Sequence, residues 1–72
     1  MLLLEYKNEG ERVNTFASTS VDKLIKKMKD FYEAMGYDID YINDIADTLL
    51  KTGNVADEEN DDEWTLYRAQ EV

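Results

Sequence analysis

The sequence predicts a small α+β domain: a three-stranded, mostly antiparallel sheet packed against a two-helix hairpin, in the order ββααβ. Three observations lead there. Residues near both ends alternate apolar and polar with period two, the pattern of half-buried strands. The middle carries two apolar stripes at helical spacing, the pattern of helices packed by one face. A chain of 72 residues holds one core, so 1–72 is expected to form a single domain.

Leu2-Leu3-Leu4-Glu5-Tyr6-Lys7 forms a strand over 2–7, with Leu2, Leu4 and Tyr6 on one side and Leu3, Glu5 and Lys7 on the other. It is the most apolar strand and the expected sheet centre. Asn8-Glu9-Gly10-Glu11 follows as a hairpin turn, with Gly10 free to take a positive φ. A second strand covers 12–17, rich in the β-formers Val13, Thr15 and Phe16. Val13 and Phe16 fall on opposite sides under strict alternation, which a bulge or a short edge strand would reconcile.

Ser18-Thr19-Ser20 precedes the first helix. Ser20 is the expected N-cap, with Asp22 in the first turn where the helix dipole favours negative charge. Val21, Leu24, Ile25, Met28, Phe31, Tyr32 and Met35 make one stripe of a helix over 21–35, and Gly36 ends it. Asp38 caps a second helix over 39–52. Its stripe is Ile42, Ile45, Ala46, Leu49 and Leu50, with Ile39 at its start and Thr52-Gly53 at its end. The link Gly36-Tyr37-Asp38 is so short that the helices must form a hairpin or a sharp corner. Residues 54–63 are expected to be an acidic connecting loop. Residues 64–69 alternate as the third strand, with Trp64 and Leu66 on one side.

The charge is unevenly divided. The chain has 17 acidic and 8 basic residues, a net charge of -9. Residues 1–37 hold six of each sign; residues 38–72 hold eleven acidic residues against Lys51 and Arg68, so the second half carries all of the net charge. Asp40, Asp44 and Asp47 share one face of the second helix, at roughly 5–6 Å between neighbours. Like charges at this spacing weaken a helix by a few tenths of a kcal/mol each, so helix stability does not account for them. Asp57, Glu58, Glu59, Asp61, Asp62 and Glu63 add six carboxylates in seven residues. Together they are expected to form an anionic surface whose spacing imitates backbone phosphates. Tyr37 and Tyr41 flank the acidic helix start as candidate interface anchors, and Trp64 is expected in the core.

Several function classes are disfavoured. The chain has no Cys and no His, so it offers no disulfide, no thiolate and no imidazole base or ligand. The Asp57 tract fails as an EF-hand, with Asp62 where Gly belongs and Arg68 where Glu belongs. No cofactor and no metal site are expected. Ser18, Thr19 and Ser20 lack a base and are explained as caps, so no enzyme is expected. Direct nucleic-acid binding is disfavoured because its affinity comes from cations on phosphates. Lys23, Lys26, Lys27 and Lys29 are partly compensated on their own helix, Lys26 by Asp30 and Lys29 by Glu33. No run reaches membrane-spanning length, and Leu2–Leu4, interrupted by Glu5, is too short for a signal-peptide core, so a cytoplasmic protein is expected.

In size, charge and lack of catalytic groups the chain resembles the phage-encoded inhibitor class: anti-CRISPR proteins, anti-restriction proteins and inhibitors of DNA-repair glycosylases. Acidic immunity proteins that block basic nucleases embody the same idea. The resemblance implies a protein-binding inhibitor that mimics DNA and offers its anionic surface to the basic groove of a nucleic-acid-handling enzyme. The alternative is a structural or assembly module, monomeric or homodimeric, whose acidity only keeps it soluble.

Overall fold

The computed structural model describes residues 1–68. Six elements follow in order: β1 (Leu2–Asn8), β2 (Glu11–Ser18), α1 (Val21–Ala34), α2 (Ile39–Thr52), β3 (Asn54–Asp57) and β4 (Asp62–Arg68). The order is ββααββ, with four strands where the sequence predicts three. The additional strand is β3, inside the segment expected to be an acidic loop. Its four residues hold one large apolar side chain, Val55, so they show no periodicity of their own. They become a strand by pairing antiparallel with β4, from Asn54↔Thr65 to Asp57↔Asp62. The loop shrinks to Glu58, Glu59, Asn60 and Asp61, and β4 begins two residues before the expected third strand; residue 69 lies outside the described residues.

The sheet order is β2-β1-β4-β3, antiparallel throughout. β1 lies inside the sheet, as its composition predicts. The register of β1 with β2 shifts between Tyr6 and Lys7: Tyr6 faces Asn14 and Lys7 faces Arg12. Val13 is the extra residue, so the broken alternation of β2 is a bulge.

Both helices cover one face of the sheet, α1 against β1 and β2, α2 against β3 and β4. The Ser20 hydroxyl caps α1 by accepting from the Lys23 N–H, and Asp38 caps α2 by accepting from the Asp40 N–H. Leu4, Leu24, Met28, Tyr32, Ile42, Leu49 and Trp64 are buried between the layers. Each such side chain adds about 1.5–3 kcal/mol of burial free energy. The margins of the predicted stripes stay outside. Ile39 and Leu50 lie on one flank of α2 and are exposed, as is Met35 at the end of α1. Asp40, Asp44 and Asp47 lie opposite the buried stripe of α2 and face away from the core.

Candidate anionic interface

The β1–β2 and β3–β4 turns lie side by side at one end of the sheet. In the first turn Glu9 and Gly10 both have positive φ, as a two-residue hairpin turn of type I′ requires. In the second, the Asn60 N–H bonds the Asp57 carbonyl and Asp61 takes a positive φ. The Glu9 N–H donates to the Asp61 carbonyl at 2.9 Å, joining the two turns through their backbones.

Asp57 and Asp62 close the second turn as directly opposed partners. Both are expected from the sequence to lie on the exposed acidic surface. Instead they are 5% and 3% exposed. The reason is strand period: Asp57 is two residues from Val55 and Asp62 two from Trp64, so all four share the face under the helices. Among the described residues neither carboxylate has a cation partner; the ion pairs join Lys7 and Arg12 to Glu5, and Lys26 to Asp30. A buried charge is costly unless hydrogen-bonded, and here neutral donors surround both. Asp62 accepts from the Tyr6 hydroxyl at 2.6 Å, Asn8 Nδ2 at 2.8 Å and the Tyr32 hydroxyl at 3.3 Å. The Trp64 indole N–H donates to the Tyr32 oxygen at 3.0 Å. Asp57 accepts from Asn60 Nδ2 at 2.6 Å, and the Tyr41 phenol favours its charged form.

This network sets the local protonation. Burial pushes the Asp57 carboxyl up, but bonds from Tyr41, Asn60 and the Glu59 N–H outweigh it and hold the group below its ordinary value. Burial pushes the phenols of Tyr6, Tyr32 and Tyr41 well above theirs, reinforced by the Asp62 carboxylate for Tyr6 and Tyr32 and by Asp57 for Tyr41. These side chains therefore act as hydrogen-bond donors at neutral pH.

Tyr37 and Tyr41 stack at 5.1 Å between centroids. Both are half-buried: Tyr37 donates to Asn60 Oδ1 at 2.7 Å, and the Tyr41 phenol interacts electrostatically with the Asp57 carboxylate. They join the start of α2 to the β3–β4 turn. Glu58, Glu59 and Asp61 of that turn are exposed, and so are Asp40, Asp44 and Asp47 on α2. Glu63 is half-buried on the uncovered face of the sheet, opposite Lys7 and Ala56, and is separated from the others.

The structure adds residues that the linear sequence does not associate with the site. Glu9 is some fifty positions from Asp61, and only the tertiary fold unites them. Tyr6, Tyr32, Asn8 and Asn60 hold the network together. One signal for them exists: Tyr6 and Tyr32 occupy core positions of their elements, and a buried phenol needs a partner. A shallow groove of about 530 Å³ lies between the turns, lined by Glu9, Glu58, Asp61 and the edges of Asp57 and Asp62. No group of three or more described carboxylates is arranged to hold a metal ion. No described helix is long and apolar enough to cross a membrane. No protein-family model, no curated protein and no solved structure matches the chain.

Proposed function

We propose that the protein is a non-catalytic, protein-binding inhibitor that offers a carboxylate surface to the basic groove of a nucleic-acid-handling protein. The observation that carries this reading is the anchoring of the acidic turn. Glu58, Glu59 and Asp61 point outward from a hairpin whose closing aspartates are held in the core by tyrosine and asparagine donors. Exposed charges on a fixed support bind with less loss of freedom than charges on a mobile loop. Their single sign steers a basic partner and raises its rate of encounter. Asp40, Asp44 and Asp47 extend the outward charge along α2.

The test is capture of partners from bacterial lysate on the immobilised protein at low and high salt, followed by competition with duplex DNA. The expected partner is a basic nucleic-acid-binding protein, released by salt and by DNA. Two charge-reversed proteins divide the surface: Asp40, Asp44 and Asp47 to Lys, and Glu58, Glu59 and Asp61 to Lys. Capture that survives both reversals, or that DNA does not displace, would overturn the proposal.

A further inference from the structure

One face of the sheet carries both helices; the other is covered by no described element. On that open face the register of β1 with β4 sets side chains in rows. Leu3 lies beside Tyr67, Glu5 beside Thr65 and Lys7 beside Glu63, the first of each pair on β1 and the second on β4. Strand period sends all six to the open face, because Leu4, Tyr6 and Trp64 between them point into the core. Arg12 joins the row of Lys7 from β2. The charged strand residues of this face are therefore Glu5, Glu63, Lys7 and Arg12, a neutral set in a chain of net charge -9. Lys7 and Arg12 both lean on Glu5, at 3.7 and 3.8 Å. Glu63 accepts from Asn54 Nδ2 at 3.3 Å and, among the described residues, has no cation partner.

We infer that this open face is the interface of a homodimer, with a second copy of the chain packed sheet to sheet. The pattern of the rows selects that occupant, because the face is complementary to itself. A two-fold axis along the strands, between β1 and β4, sets each β1 residue against its row neighbour on β4 of the second copy. Lys7 then meets Glu63, Leu3 meets Tyr67 and Glu5 meets Thr65, each contact being made twice. Facing sheets lie about 10 Å apart, a gap that a lysine and a glutamate side chain close between them. A two-fold axis across the strands would instead set Lys7 against Leu3 and Glu63 against Tyr67, charge against apolar surface. The neutrality of the face lets two acidic molecules approach here without like charges meeting. At sheet spacings the face measures at most roughly 450 Å², against about 800 Å² per partner in a standard stable complex, so the dimer is a weak one. The chosen axis keeps both acidic turns at the same end. The interface is separate from those turns and stands whether or not a basic protein binds them.

The test is sedimentation equilibrium of the full chain up to about 1 mM, where a weak interface is populated, in about 0.15 M salt, which screens the charge outside the interface. A reversible monomer–dimer equilibrium is expected. Lys7→Glu places carboxylates on both sides of the crossing, and Glu63→Lys places ammonium groups there. Each variant alone should associate about tenfold or more weakly. An equimolar mixture of the two should associate as strongly as the unaltered protein, because both crossings in the mixed dimer again join a carboxylate to an ammonium. Effects inside one chain cannot be rescued by mixing, so the mixture isolates the contact between copies. Circular dichroism checks that each variant is folded. Tyr67→Lys, at a position 39% exposed, sets an ammonium against Leu3 and carries the test if either charge variant does not fold. Its dimer should also weaken by about tenfold or more. A protein that stays monomeric at about 1 mM would overturn the inference. So would association unchanged in the charge variants and in Tyr67→Lys, or folded charge variants that fail to associate when mixed.

Discussion

Tyr6 bonds Asp62 at 2.6 Å inside the core, and that contact carries a stability cost if broken. Tyr6→Phe leaves the ring packed against Phe31 and Trp64 but removes one donor from a buried carboxylate. The expected destabilisation is about 1–3 kcal/mol, measured by urea unfolding. An unchanged midpoint would mean that water replaces the phenol and that the network is looser than its geometry. The same residues set the pH limits of the fold. The carboxyl of Asp57 is lowered in the folded state, so its contribution is complete above the unfolded value of about 4 and is lost as pH falls through the folded value. Tyr6 and Tyr32 are raised, so theirs is complete below about pH 10 and is lost as pH rises toward the folded values. Between about pH 10 and the folded value each phenol reduces stability by up to about 1.4 kcal/mol per pH unit. Unfolding midpoints across pH should therefore fall at both extremes, and Asp57→Asn should soften the acid side.

At the level of elements, the two hairpin turns store the clearest backbone strain. Glu9 holds φ at 54°, a left-handed conformation that side chains with a Cβ rarely adopt. Glu9→Asn creates the Asn-Gly pair that type I′ turns prefer. It should stabilise the protein by about 0.5–1 kcal/mol, seen as a higher melting temperature. Gly53 shows the opposite case at the end of α2. Its φ is 79°, its N–H bonds the Leu49 carbonyl, and an added Cβ would sit 3.4 Å from the Leu66 carbonyl oxygen. Gly53→Ala should cost about 1 kcal/mol or more, because a Cβ is penalised in the left-handed conformation. A neutral result would show that the α2–β3 corner relaxes without loss.

Across the whole molecule, charge is sorted by position. β1 starts at the end of the sheet where β2 and β4 finish, so the two turns gather at the other end. Glu9, Glu58, Glu59 and Asp61 are exposed there, whereas Lys23, Lys26 and Lys27 stand on the first half of α1, with Lys27 over the Phe16 ring. Screening should relieve repulsion within the acidic end. The melting temperature is expected to rise between about 0.01 and 0.1 M salt, as the screening length falls from about 30 to 10 Å. Binding to a basic partner should weaken over the same range. A protein whose stability and binding both ignore salt would return the acidity to a solubility role. Light scattering that showed a tight dimer, with no basic protein captured, would favour a structural module.

The amino-acid sequence by itself determined both helices, their caps at Ser20 and Asp38, the first hairpin and the central place of β1. These follow from short-range physics: apolar spacing, capping hydroxyls and carboxylates, and a glycine in a turn. It also determined that the net charge lies in the second half. β3 was illegible because Asn54–Asp57 has one large apolar residue and exists as a strand only through β4. The division of the acidic tract was illegible for a related reason. Asp57, Glu58, Glu59, Asp61, Asp62 and Glu63 are chemically alike; strand register turns Asp57 and Asp62 inward to the tyrosines and Glu63 to the other face, while the turn between the strands leaves Glu58, Glu59 and Asp61 exposed. Only the tertiary structure decides this, because burial of a carboxylate depends on donors, such as Tyr6 and Tyr32, supplied by distant parts of the chain.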